Sequence, residues 1–313
     1  MSDAANHPTP RQTQSYLRNL FHSNRLHPKN RLGQNFLIDL NLIDFIVNAA
    51  ELTRADLVLE IGSGTGGLTT RLAEHAGAVL SVEIDPSFFA LATEAVRGFS
   101  NVRLLQGDVL KNKNQLNPDV LTALEATREQ YRPQRVKLIA NLPYAVATPV
   151  ISNLLIAGIA VERMIVMVQW EIAQKLIAKP GTKDYGALAI LMQSLADVEV
   201  LRKLPPSVFW PRPKVDSAIV KIVPNAQKRS LIPDVQRFRI FLRDLYAHRR
   251  KNLRGALVGM TSEGKAQSER KAFVDAMLGK LGYTGTERAE TLSIEKHGAL
   301  CEAMGSLADQ LDL

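Results

Sequence analysis

A chain of 313 residues that is 46% hydrophobic is long enough to bury a full α/β domain with a smaller one after it, and its net charge of +8 favours a polyanionic partner. Cys301 is the only cysteine, which excludes an internal disulfide and a cysteine-based metal site and suits a reducing compartment; the six histidines show no ligand spacing, so no metal is expected. No run approaches the roughly 18 apolar residues of a membrane span and no apolar signal region follows the N-terminus, so a soluble, cytoplasmic protein without a membrane partner is the expectation.

In chain order, residues 1–27 read as a flexible polar tail with one short helix around 16–21. Before Asp39 the only acid is Asp3, and an acid-poor, arginine-bearing leader fits an organelle transit peptide; Pro8, Pro10 and Pro28 interrupt it, and a basic arm facing a polyanion explains the same charges. Residues 41–52 place Leu42, Ile43, Ile46, Val47 and Ala50 at helical spacing, a face expected to pack over a ligand. Apolar runs at 58–60, 79–83, 102–106, 137–140 and 164–168 read as strands separated by helical segments, and two further strands near 196–201 and 217–222 close the far edge. This pattern predicts an α/β fold with a doubly wound, mostly parallel seven-stranded sheet over 28–224. After the polar, proline-flanked stretch 224–234, residues 225–313 are expected to form a small helical domain.

Three strand ends carry chemistry. The run 57–61 enters a loop with Gly62, Gly64 and Gly66 and then an amphipathic segment marked by Leu68, Leu72, Ala73 and Ala76. Strand, glycine loop and helix in that order let a ligand approach the backbone and the free N–H groups of the helix. The next run ends in Glu83, placed to accept both hydroxyls of a ribose, and the third ends in Gly107-Asp108, where the carboxylate can accept from an adenine amino group. A nicotinamide dinucleotide would use a similar turn, but Glu60 would then lie close to a pyrophosphate. An acidic pocket with Glu60 beside an ammonium group favours S-adenosylmethionine instead. Each acid also has a plain structural reading, as a helix-facing charge, a strand-end acid or a turn cap.

The fourth strand ends in Asn141-Leu142-Pro143-Tyr144. An amide oxygen and a backbone carbonyl can accept both hydrogens of an aromatic amine while the tyrosine ring stacks on its heterocycle; alternatively the tetrapeptide is only a proline turn after a buried strand.

Taken in order, Gln34-Asn35-Phe36-Leu37, Glu60-Ile61-Gly62-x-Gly64-x-Gly66, Glu83-x-Asp85, Asp108, Asn141-Leu142-Pro143-Tyr144 and Phe209-x-Pro211-x-Pro213-x-Val215-x-Ser217 resemble the small-subunit ribosomal RNA adenine dimethyltransferases. The resemblance runs from about Pro28 to Val223. It implies transfer of methyl groups from S-adenosylmethionine to N6 of two adjacent adenines near the 3′ end of small-subunit rRNA, within a partly assembled subunit, by a protein expected to be a monomer. By the same carry-over, Asn35, Leu37, Gly62, Glu83, Asp108 and Asn141 contact the methyl donor, and Gln34, Glu60 and Gly64 belong to the same motifs. Asn141 Oδ1 and the Leu142 carbonyl would orient the amine without a strong base, Pro143 would hold the turn, and Tyr144 and Phe209 would clamp the extruded base. Lys29 and Arg31 before the first motif, and Arg249, Arg250, Lys251 and Arg254 in the tail, are candidate RNA contacts, although either group also reads as a solvated face or arm.

The sequence departs from the family at Ala145-Val146-Ala147-Thr148, and at Ser63 and Thr65, where bacterial members often carry Pro and Leu. These changes bear on fine positioning and remove no expected donor, acceptor or ring. Two other readings are a large-subunit rRNA adenine methyltransferase of the resistance type, and a ribosome-assembly or transcription factor that keeps the fold and only binds RNA.

Overall fold

The computed structural model describes residues 12–28, 33–260 and 266–310, with the side chains of 306–310 excepted. Strands are β1 (Phe36–Leu37), β2 (Asp56–Ile61), β3 (Ala78–Glu83), β4 (Val102–Gln106), β5 (Leu110–Asn112), β6 (Gln115–Leu116), β7 (Arg135–Asn141), β8 (Val161–Gln169), β9 (Ala196–Leu204), β10 (Phe209–Trp210) and β11 (Ser217–Pro224). The helices that bear on function are α1 (Gln14–Ser23), α2 (Leu40–Ala49), α3 (Gly67–His75), α4 (Pro86–Ala95), α5 (Pro118–Tyr131), α6 (Ala147–Ile156), α7 (Trp170–Leu176), α8 (Ala187–Gln193), α9 (Ala226–Ser230), α10 (Val235–Ala247), α11 (Leu253–Met260), α12 (Gln267–Lys280) and α13 (Ile294–Gln310).

Two compact units divide the chain. The first, up to Ala173 and again over Glu199–Pro224, is built on a seven-stranded sheet of order β4-β3-β2-β7-β8-β11-β9. Strands β4, β3, β2, β7 and β8 run parallel, and β11 pairs antiparallel with β8 from Ser217 opposite Gln169 to Ile222 opposite Met164. Both faces of β2 and β3 are buried at every position, which is why they read as continuous apolar runs rather than alternating ones. Helix starts follow local chemistry. Asp39 accepts from the N–H groups of Asn41 and Leu42, and Asp85 from that of Ser87 with Pro86 in the first turn of α4.

The second unit comprises Gln174–Val198 and Asn225–Leu313. The expected boundary at 224 therefore needs correction: 174–198, read as part of the sheet domain, folds with the C-terminal helices. Helix α8 packs on α10 and α13, and the buried Tyr185 hydroxyl donates to the Leu292 carbonyl at 3.1 Å. A second correction concerns the N-terminus. Residues 1–11 lie outside the described residues, but 12–28 are not a loose tail: α1 buries Leu17 and Phe21. The Phe21 ring stands edge-on to Phe36 and Phe88, at 5.3 and 5.4 Å between centroids, and 5.2 Å from Trp210.

Candidate active site

Parallel strands present their carboxyl ends on one edge of the sheet, and in this fold the register lines up the functional positions. Ile61 pairs with Val82, Glu83 with Gln106, and Asn141 with Met167, so the ends of β2, β3, β4, β7 and β8 open into the same place. A cavity of about 250 Å³ lies there, lined among others by Gln34, Asn35, Leu37, Gly62, Gly64, Glu83, Asp108, Asn141 and Pro143. Of the helical face expected to pack over a ligand, only Ile43 of α2 lines the cavity; Leu42, Ile46, Val47 and Ala50 pack in the core of the sheet domain instead.

The glycine loop owes its path to backbone freedom. Gly62, Gly64 and Gly66 have φ of 83°, 54° and 79°, a region that side chains with a Cβ avoid. Space matters as much: a Cβ on Gly66 would lie 2.8 Å from that of Ala95, so the loop can only tuck under α4 as glycine. Glu83 braces the loop from the neighbouring strand. Its Oε2 accepts from Gly64 N–H at 2.8 Å and its Oε1 from Asp85 N–H at 2.9 Å. Burial pushes the Glu83 carboxyl above its usual range, and these two N–H donors oppose that shift.

Asn141 is oriented by the first motif. Its Nδ2 donates to the Asn35 carbonyl at 2.8 Å, while Asn35 Nδ2 donates to the Gly33 carbonyl at 3.1 Å. With one N–H of its amide bonded to Asn35, Asn141 keeps Oδ1 available as an acceptor. Pro143 lies beside Gly62, where a Cβ would meet Pro143 Cδ at 3.7 Å, an ordinary van der Waals contact, so the positive φ rather than lack of space calls for glycine there. Gln34 Nε2 donates to Asp85 Oδ2 at 3.3 Å, tying the first motif to the end of β3. Asp108 uses Oδ1 to accept from Leu110 N–H at 2.9 Å, the turn-cap role, while still lining the cavity.

Some expected residues lie elsewhere. Glu60 is 0% exposed and does not line the cavity; its Oε2 accepts from Thr69 and Ser81 hydroxyls, each at 2.6 Å, and its Oε1 has no partner among the described residues. Burial first, with Glu83 adding repulsion, pushes its carboxyl up to about 7 against those two hydroxyls, so the expected direct contact with an ammonium group is corrected to a buried position behind the loop. Phe209, expected to clamp a base, is 2% exposed in the hydrophobic core with Leu42, Ile46 and Ile219, because β10 pairs with β1 and places Phe209 opposite Leu37. Tyr144 is half-buried and its hydroxyl shares a 2.7 Å hydrogen bond with Ser217 Oγ; neither it nor the buried Leu142 lines the cavity.

The candidate RNA contacts divide likewise. Lys29 and Arg31 lie outside the described residues. Arg249 donates to the Lys183 carbonyl at 2.6 Å, and Arg254 pairs with Asp275 at 2.5 and 2.7 Å, so both are engaged within the second unit; Arg250 and Lys251 are exposed. Among the described residues no group of three metal-ligating side chains occurs, and no helix is long and apolar enough to cross a membrane.

Sequence reasoning missed Gln12, Gly33 and Met167, all of which line the cavity. Only Gln12 had an available signal, the apolar pair Leu17 and Phe21 at i, i+4 just after it.

Known proteins carry the same architecture. The chain is 38% identical over 269 residues to the ribosomal RNA small subunit methyltransferase A of Alkaliphilus oremlandii, covering 86% of this chain and 89% of that one. A dimethyladenosine transferase from Plasmodium falciparum superposes with a TM-score of 0.69 at 23% identity, over 89% of this chain and 98% of that one. The 23S rRNA methyltransferase ErmE follows with a TM-score of 0.58 at 26% identity, over 86% of this chain and 99% of that one. The family model for ribosomal RNA adenine dimethylases matches residues 25–296, most of the chain, and with the sheet order and the strand-end motifs already in place it follows that this protein belongs to the ribosomal RNA adenine dimethylase family.

Proposed function

We propose that this protein transfers methyl groups from S-adenosylmethionine to N6 of two adjacent adenines near the 3′ end of small-subunit rRNA, giving N6,N6-dimethyladenine during assembly of the subunit. The reading has it act in the cytoplasm and as a monomer. The observation that carries it is the fixed amide of Asn141, whose Nδ2 is bound to the Asn35 carbonyl so that Oδ1 is left as an acceptor in the cavity that Glu83 and the glycine loop also line.

The cavity's donor set suits this methyl donor. Glu83 is a carboxylate at a strand end with no basic partner among the described residues, Asp108 faces the same space, and the Cβ-free loop allows close approach of a nucleoside. S-adenosylmethionine, when bound, supplies a methyl group already activated by its sulfonium. Glu83 is placed to accept from the sugar hydroxyls, Asp108 to accept from the adenine amine of the donor, and Asn35 to hold Asn141 in register. The target amine is a poor nucleophile because its lone pair is delocalised into the ring. Asn141 Oδ1 and the Leu142 carbonyl would accept its two N–H bonds and turn the lone pair toward the methyl group, and Tyr144 would stack on the extruded base. Its tether to Ser217 holds that ring still. No side chain needs to act as a strong base, because the alkylated amine is acidic enough to lose its proton to water.

The experiment is methyl transfer from labelled donor to small subunits isolated without the modification, with the products located by primer extension. Transfer to two adjacent adenines near the 3′ end is expected, and Asn141→Ala should lower kcat/KM by about 100- to 1,000-fold while RNA binding persists. In a parallel assay with large-subunit RNA as the substrate, transfer there and none to small subunits would support the large-subunit activity, and no transfer to either by the unmutated protein would support an RNA-binding assembly factor.

A further inference from the structure

The N-terminal segment reaches into the cavity, which neither the motif set nor the expected roles account for. Gln12 is 7% exposed and lines the cavity beside the glycine loop. Thr65 holds both ends of its carboxamide: Gln12 Nε2 donates to the Thr65 carbonyl at 3.0 Å, and Gln12 Oε1 accepts from the Thr65 hydroxyl. The side chain lies flat on the start of α3, where a Cβ on Gly67 would come within 2.6 Å of Gln12 Oε1. Behind it, Thr13 caps α1, and Leu17 and Phe21 anchor that helix on Phe36 and Phe88. Gln12 is thus held from both sides, by the loop ahead and by an aromatic cluster behind.

A second observation points to a ligand at the same place. Ser63, in the same loop, is 5% exposed and lines the cavity, and its Oγ has no hydrogen-bond partner among the described residues. A buried hydroxyl without a partner is disfavoured enough that polar ligand groups commonly complete it. The N–H groups at the start of α3 add a preference for negative charge beside it. Glu83 and Asp108 stand at the following strand ends, where the sugar and the base of a nucleoside are read above. The polar group left for the Gln12–Ser63 end is the amino-acid portion of the methyl donor.

We propose that Gln12 is a positioning residue of the methyl-donor site: locked to Thr65, it lines the cavity at the donor's amino-acid end and, with Ser63, completes the polar lining there, while α1 behind it serves as its anchor. The pair is a property of this chain, since a leucine at 65, common in bacterial members, has no hydroxyl to hold the carboxamide. The inference rests on the donor reading above and adds to it a residue and the part of the ligand it serves.

Titration calorimetry with two probes tests it: S-adenosylhomocysteine, which has the amino-acid end, and 5′-methylthioadenosine, which lacks it. Gln12→Ala and Thr65→Val should each weaken S-adenosylhomocysteine by about 3- to 10-fold, the worth of one or two neutral hydrogen bonds, and leave methylthioadenosine unchanged. The double variant should lose little more than either single one, because both act through one pair. Thr65→Val nearly keeps the side-chain shape and carries the test if Gln12→Ala does not fold. Equal losses for both probes, no loss, or tighter binding by Gln12→Ala would overturn the proposal, the last by showing that Gln12 blocks the site. Unmutated protein that binds neither probe overturns the donor reading itself and this inference with it.

Discussion

At the amino-terminal end of the sheet Asp56 is 0% exposed and surrounded by compensation: Arg135 Nε lies at 2.7 Å, Lys137 Nζ at 3.3 Å, and Thr53 N–H donates at 2.7 Å. Lys137, itself 1% exposed, also donates to the carbonyls of Ala50 and Glu51 at 3.0 and 2.9 Å. At the carboxyl end of the same strands Glu60 and Glu83 are 0% and 6% exposed, and no Lys, Arg or His among the described residues pairs with them. Burial works to raise the Asp56 carboxyl, but Thr53, Arg135 and Lys137 outweigh it and hold it low, whereas burial wins at Glu60 and Glu83. Neutralised charge at one end fastens strands together; at the other end Glu83 lines the cavity and Glu60 lies behind it, both without a cation among the described residues, and burial there favours the protonated carboxyl.

That contrast breaks most visibly at Lys137. Replacing it with methionine leaves Asp56 and Glu162 short of a cation and should destabilise the fold by about 3–5 kcal/mol in urea unfolding, with donor affinity of the folded fraction unchanged. A large loss of donor affinity would mean the two ends are not separate in function.

A somewhat smaller effect should appear as opposite pH responses. Because the Glu60 carboxyl titrates higher folded than unfolded, its contribution is fully present below the ordinary value of 4.5 and is lost as pH rises through about 7, on the order of 3 kcal/mol for a fully buried group. Asp56 is lowered, so its contribution is present above its ordinary 3.8 and is lost as pH falls through the folded value. Ligand-free Glu60→Gln should therefore flatten the decline between pH 5 and 8 in a thermal-melt series, and Asp56→Asn should flatten only the acid limb.

Glu83→Gln sharpens the comparison from the ligand side. An amide cannot accept from Gly64 and Asp85 N–H with both of its ends, so the loop loses a brace and, on the proposed donor reading, the sugar loses an acceptor; methylthioadenosine affinity should fall by about 10- to 100-fold in calorimetry. The smallest effect is expected at Tyr144→Phe, which removes only the hydrogen bond to Ser217: about 1 kcal/mol of stability, with methyl transfer within a few-fold of the unmutated protein because the ring is kept.

Much of this was legible in the sequence where the determinants are local. The glycine loop, the strand before it and Glu83 after it sit where read, because positive-φ glycines and buried apolar runs declare themselves within a few residues. The expected helix at 41–52 appears as α2 over Leu40–Ala49, with Asp39 as its cap. Phe209 shows where local reading ends: nothing near it in sequence separates a ring on a base from a ring in the core, and only the pairing of β10 with β1, Phe36 opposite Trp210, turns it into the core. Segment 174–198 was misassigned for the same reason, since a short apolar helix reveals that it must be buried and not against what.

By itself, then, the amino-acid order determined the order of the main strands and helices and the residues at the strand ends, because propensity, glycine freedom and apolar periodicity act over a handful of neighbours. Only the tertiary structure decided that Glu60 lies behind the loop, that Phe209 is core, and that Gln12 meets Thr65 across a separation of 53 residues. Such outcomes depend on which surfaces exclude water together, and that is settled by packing between segments distant in the chain.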